Sequence, residues 1–286
     1  MPRHLFPRAL LGTLVTMLAA CSGSDGLTAR EVYTIVDEVD IAVRAEVLLE
    51  PTVMLATQAA MGAATPDEAA TLVADALEQV STCVVVGRLG TTGLTLDYTA
   101  TSLYDNCQTG SDVRGWLLPT SGHETIRFLQ ADGTSATIDH TWEAMSNGYL
   151  RVDGTAHVTL SKTEQSTTEH MVNSLSWVRA SDGKSGHGKD ERTSPWAVSL
   201  GQQLLPTGLR TWESDAGAWE MRPVDARLQS ISTGVPFIGT FSILTPEKLA
   251  LKLSVAYGAT GPRMTLTDGT HSYSFGLSPN GGTPTE

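Results

Sequence analysis

Lys248-Leu249-Ala250-Leu251-Lys252-Leu253-Ser254-Val255-Ala256-Tyr257 carries Leu249, Leu251, Leu253, Val255 and Tyr257 on one side and Lys248, Ala250, Lys252, Ser254 and Ala256 on the other. Successive side chains of a strand point to opposite faces. Large apolar groups on one face and small or charged groups on the other therefore describe a strand with one buried and one wet side. That pattern belongs to antiparallel sheet, because parallel strands are covered on both faces.

The same period of two recurs in Leu94-Thr95-Leu96-Asp97-Tyr98, Ala136-Thr137-Ile138-Asp139 and Ala156-His157-Val158-Thr159-Leu160. Turn dipeptides punctuate it at Asp132-Gly133, Asn147-Gly148, Asp153-Gly154, Asp182-Gly183 and Asp268-Gly269. Between alternating runs, such pairs predict hairpins. Three of them continue as Asp-Gly-Thr, at 132–134, 153–155 and 268–270, which reads as shared turn chemistry without a repeat period. The polar stretch 181–195, SDGKSGHGKDERTSP, predicts a mobile loop.

Before residue 81 the period is helical. Val32, Val36, Val39, Val43 and Val47 lie on one stripe, and Glu50-Pro51 should break the helix because proline lacks the amide donor. Thr65-Pro66-Asp67-Glu68 is a start signal, with Thr as N-cap, Pro at the first helical position and Glu three residues after the cap. The helix it opens places Ala69, Leu72, Val73, Ala76, Leu77 and Val80 on one face. Two or three helices are expected. The fold class is α+β, mainly β: N-terminal helices followed by a large antiparallel β-meander, either a curved half-barrel around the helices or a sandwich with the helices outside.

The chain has 286 residues, of which 41% are apolar and 17% charged, with 27 Gly and 13 Pro. This size allows a substantial core, and the Gly and Pro content suits many turns. The formal charge of −12 argues against a nucleic-acid partner, since phosphate backbones are bound by clustered Lys and Arg.

The first 26 residues read MPRHLFPRALLGTLVTMLAACSGSDG. Arg3 and Arg8 form a basic region, residues 9–19 an apolar run too short to span a bilayer, and Leu18-Ala19-Ala20-Cys21 follows. This segment resembles the signal and lipobox of bacterial lipoproteins. The resemblance implies cleavage before Cys21, acylation (palmitate) of Cys21 and attachment to the cell envelope. Ser22 implies the outer membrane. The expected divisions are a signal peptide over 1–20, a lipidated tether over 21–28, a helical segment over 29–80, an antiparallel β domain over 81–278 and a disordered tail over 279–286. Loss of residues 1–20 removes two arginines and no acid, which moves the charge from −12 to −14. Membrane association then rests on the lipid anchor, each buried CH₂ of which is worth about 0.8 kcal/mol. Cys83 and Cys107, an even pair in an exported chain, predict a disulfide.

No catalytic constellation stands out. The glycines of Val84–Gly93 are spaced GxxGxxG and run into the alternating segment LTLDYTAT, where a dinucleotide site needs a helix. Gly183-Lys184-Ser185 lacks the leading glycine of a phosphate loop, since that position is Val178. The histidines show no metal-ligand spacing, so neither a metal nor a cofactor is expected. His140 shares a face with Trp142 and predicts a packed, hydrogen-bonded histidine, whereas His157 faces water. Trp142 and Trp177 predict core packing. Trp196 and Trp212, in less regular surroundings, are the candidates for an exposed ligand platform.

These observations favour a lipid-anchored envelope protein with a non-catalytic structural or interaction role. An alternative is a carrier of an apolar ligand on the apolar sheet face around Leu249, Leu251 and Leu253. A further alternative is an envelope hydrolase using carboxylates such as Asp139, Glu143 and Asp153, which sequence alone cannot bring together.

Overall fold

A computed structural model describes residues 26–80, 83–99, 119–164, 166–197, 202–203, 206–228, 237–258 and 261–276. Cys21, Cys107 and the segments 1–25 and 277–286 lie outside them, so the anchor, one member of the expected cysteine pair and the expected tail do too.

Three helices come first: α1 (Ala29–Val47), α2 (Glu50–Gly62) and α3 (Pro66–Val80). Thr28 and Glu31 form a reciprocal capping box at the start of α1, which satisfies two amides that the helix itself leaves free. Pro51 falls in the first turn of α2, where its missing donor is harmless, so it opens a new helix where α1 ends. Thr65 caps α3 as expected, accepting the Glu68 amide at 3.2 Å.

Every strand then joins one antiparallel sheet. Its strands are β1 (Val84–Leu89), β2 (Gly93–Tyr98), β3 (Ser121–Ala131), β4 (Ser135–Ser146), β5 (Leu150–Lys162), β6 (Ser166–Arg179), β7 (Ser185–Ala197), β8 (Gln202–Gln203), β9 (Thr207–Ser214), β10 (Gly217–Leu228), β11 (Phe237–Leu244), β12 (Ala250–Gly258), β13 (Gly261–Thr267) and β14 (Ser272–Gly276). Spatial order follows chain order throughout, with the two-residue β8 set aside against β7. The expected meander is therefore the fold, and because the sheet is one continuous ladder the sandwich form is excluded.

The sheet curls around the helices. α3 lies on β1–β3, α2 on β3–β5 and α1 on β5 and β6. Five consecutive residues of α1, Ile35 through Val39, are buried. Because a turn takes 3.6 residues, the middle of α1 is covered around its whole circumference. The far end of the sheet closes the wrap, where the Tyr273 hydroxyl of β14 donates to the Leu27 carbonyl at 3.2 Å. One core results, from Val73 and Leu77 on α3 through Phe128, Ile138 and Val158 to Leu253 and Leu266. The helices bring alanines to it, including Ala45, Ala56, Ala60 and Ala69, which let their backbones approach the strands closely.

Two expectations are corrected. The polar stretch 181–195 is a turn followed by β7, paired along its length with β6 and β9. Its helix-facing positions are Gly186, Gly188, Asp190, Arg192 and Ser194, so no apolar period betrays the strand. Asp153-Gly154 is not a hairpin turn but lies inside β5, opposite a bulge in β4 between Trp142 and Met145. The Asp153 carboxylate accepts the Ala144 amide there at 2.7 Å. The other two Asp-Gly-Thr segments are turns with matching chemistry: Asp132 and Asp268 each accept a Thr hydroxyl, a Thr amide and the next amide. Those bonds hold both carboxyls well below the ordinary aspartate range. In the opening decapeptide Leu251, Leu253 and Val255 are buried, but Leu249 precedes the strand and is 37% exposed.

Candidate functional sites

Charged residues sit on the helix-facing side of the sheet in three clusters, each fixed by the phase of a strand. Near the first hairpins, Glu124 of β3 accepts hydrogen bonds from the Tyr98 hydroxyl at 2.9 Å and the Thr52 hydroxyl at 3.0 Å, and lies 2.9 Å from His140 Nδ1. His140 stacks on Trp142 with ring centroids 5.4 Å apart. Burial, and then the carboxylate, push the Tyr98 hydroxyl far above its usual pKa. A tyrosine, a carboxylate and a histidine in series have the composition of a proton relay. Glu124 and His140 are 0% and 1% exposed, however, and α2 covers them through Thr52. No substrate reaches them while α2 is in place.

The second cluster joins α1 and α2 to β6, β7 and β9. Arg192 Nη2 sits 2.9 Å from both carboxylate oxygens of Glu50, and its Nη1 contacts Glu46. Arg210 also contacts Glu46. Asp190 is farther off, 3.6 Å from Arg210 and 4.0 Å from Arg192. Among the described residues Glu169 receives only the Thr57 hydroxyl, at 3.5 Å. Burial drives the Glu169 carboxyl up to about 7 against the pull of Arg192, and it raises Asp190 in the same way. Burial lowers Arg210 to about 10, still far above neutral, so it remains charged.

A third cluster fastens the first half of α1. Asp37 lies 2.6 Å from Arg179 and 2.5 Å from Lys184, and Arg179 also holds Asp182 at 2.6 Å. Burial opposes ionisation of Asp37, but the hydrogen bonds from Arg179 and Lys184 outweigh it and the carboxyl stays below its ordinary pKa. Lys184, part of the phosphate-loop-like tripeptide, is thus a structural cation in the β6–β7 turn.

The outer face is polar and open. Thr125, Thr141, Thr155, Ser174, Lys189 and Thr211 face one another across six successive strands. A depression of about 440 Å³ lies here between Asp139, His157 and Lys189, and a second of about 320 Å³ adjoins it at Ser174 and Lys189. His157 is wet as expected and bonds Asp139 through Nδ1 at 2.6 Å. His123 bonds Asp97 in the same way at 2.7 Å. Asp139 and Asp153, two of the suggested hydrolase carboxylates, are thus taken by His157 and by the Ala144 amide.

Of the proposed platform residues, Trp212 is corrected. It is 3% exposed and stacks on Trp219 with centroids 5.7 Å apart, because Gly188 opposite leaves room for it on the helix-facing side. Trp196 lies in β7 opposite Thr167. Trp142 and Trp177 are in the core as expected. Cys83 immediately precedes β1. Among the described residues no cluster of three or more His, Cys, Asp or Glu is placed to hold a metal ion, and no helix is long and apolar enough to cross a membrane.

Sequence reading missed the clusters themselves. The signal was present: Glu124 falls in phase with Ile126 and Phe128, and Glu169 in phase with Met171, Leu175 and Trp177. A charge in the apolar phase of a strand must meet a partner in the interior. Comparison with protein-family models, with characterised proteins and with solved structures finds no match to this chain.

Proposed function

We propose that this protein is a lipid-anchored component of the bacterial cell envelope, with a structural or interaction role and no catalysis of its own. The lipobox-like Leu18-Ala19-Ala20-Cys21 supplies the anchor, and Ser22 suggests the outer membrane. One observation carries the non-catalytic reading: the polar chemistry of the interior is committed to holding α1 and α2 on the sheet. Contact with a partner then falls to the outer face, where hydroxyls, Lys189 and the Asp139–His157 pair meet solvent.

The apolar-carrier reading requires space on the face that α1–α3 occupy. Native mass spectrometry of the exported body tests both. A lipid-sized mass retained on the protein would overturn the interaction role in favour of a carrier, whereas a ligand-free species supports it. The same spectrum tests the proposed Cys83–Cys107 bond, which removes two hydrogens. Acylation is tested with Cys21→Ala: wild type should incorporate labelled palmitate and sediment with membranes, and the variant should do neither.

A further inference from the structure

Where α1 and α2 meet β6, β7 and β9, the charges do not balance. Four buried carboxylates, Glu46, Glu50, Glu169 and Asp190, face two guanidiniums, Arg192 and Arg210. Among the described residues the surrounding positions add no compensating charge. β5 presents Ala156, Val158 and Leu160, β6 adds Met171 and Asn173, β7 adds Ser194, and α2 adds Thr57. With every group ionised, the cluster would hold a net charge of −2 out of water. Desolvation at that scale neutralises a group sooner than it tolerates the charge.

Geometry picks out the two that yield. Glu46 and Glu50 each touch a guanidinium. Glu169 has a single long hydrogen bond from a neutral hydroxyl, and Asp190 is 3.6 Å or more from either arginine.

We propose that this cluster is a proton-binding latch, in which protons taken up at Glu169 and Asp190 fasten α1 and α2 to the sheet, so that the helices are held more tightly in mild acid than in alkali. The sign follows from linkage. Lifting the helices exposes both carboxyls to water, where they return to the ordinary carboxylate range and release their protons. Raising the pH therefore favours lifting through the closed-state pKa of Glu169, about 7, and has no further effect once both states are deprotonated. Falling pH stops helping once the exposed carboxyls also bind protons, near the ordinary 4.5 of a glutamate in water. The latch is independent of the lipid anchor and of the partner proposed for the outer face.

The test is amide hydrogen exchange of residues 45–62 in the full-length protein between pH 5.5 and pH 8.5, corrected for intrinsic exchange. The expected result is at least an approximately tenfold rise in the opening constant across this range, as loss of one linked proton over a single pH unit would give. In Glu169→Gln with Asp190→Asn the profile should be flat, with less opening than wild type at pH 8.5. A flat wild-type profile, or a slope that survives in the double variant, overturns the proposal. A measurement on wild type alone keeps it testable if the variant does not fold. Calorimetric unfolding at pH 6 in two buffers of different ionisation heat should show between about one and two protons released. No release would refute the latch.

Discussion

Single residues in this protein are constrained most tightly where a polar atom has lost water. The Ser194 hydroxyl is fully buried and has no hydrogen-bond partner among the described residues. Such a group bears the desolvation penalty with nothing in return, so Ser194→Ala should leave stability unchanged or raise it by up to about 1 kcal/mol in urea unfolding. Ala144 presents the opposite case, a backbone cost. Its φ of 53° lies in the left-handed region at the β4 bulge, held there by Asp153. Ala144→Gly should stabilise the protein by about 1 kcal/mol, read as a higher urea midpoint. Asp37 is the costly one to lose. Asp37→Asn removes a carboxylate shared by Arg179, which is 7% exposed, and Lys184, and should destabilise by about 3 kcal/mol at pH 7. Because folding lowers the Asp37 pKa from 3.8, its contribution is present above pH 3.8 and is lost as pH falls through the folded value. The gap between variant and wild type should therefore narrow as the pH falls below 3.8 in acid titrations of stability.

At the level of the element, β7 shows why a strand can be hidden in its own sequence. The strands readable in advance are those whose inner face is aliphatic, such as β5 with Ala156, Val158 and Leu160. β7 instead offers Gly186 and Gly188, over which Trp177 and Trp212 lie, then Asp190 and Arg192, which meet Arg210, Glu46 and Glu50, and finally the buried Ser194. Its carboxylate partners Glu46 and Glu50 lie more than a hundred residues away and its other partners on neighbouring strands, so no local period exposes it. The helices were legible for the converse reason. Thr28 with Glu31 and Thr65 with Glu68 are signals contained within one turn. What the Val32–Val47 stripe could not convey is that the middle of α1, Ile35 through Val39, is enclosed on all sides, since an amphipathic pattern implies one wet face. The Asp153-Gly154 pair illustrates the same limit, because a turn dipeptide and a bulge site look alike until the register is known. The glycines give this element its test. A Cβ on residue 188 would lie 2.5 Å from the Thr211 carbonyl oxygen, so Gly188→Ala must displace backbone. The expected cost is on the order of 2 kcal/mol in thermal or urea unfolding, with loss of the stacked Trp212–Trp219 signal in near-UV circular dichroism.

At the scale of the whole molecule, the helices and the sheet share one core and three ionic junctions, so neither layer has an interior of its own. Unfolding should therefore be a single event. Far-UV circular dichroism and tryptophan fluorescence should give coincident urea transitions, and a separate early loss of helix would contradict the shared core.

The contact between Tyr273 and the Leu27 carbonyl spans 246 residues, and the ion pairs of α1 with Arg179 and Arg192 span 142 and 146. α1 is the first of these elements to be synthesised, and its enclosure is the last thing to be completed. During synthesis its start must wait uncovered until β14 arrives. A chain that stops short of β14 leaves the start of α1 open, however well its earlier hairpins have formed. The order of assembly thus runs against the order of manufacture, and a proteolytic surveillance system that recognises exposed apolar helix would remove unfinished copies and spare complete ones.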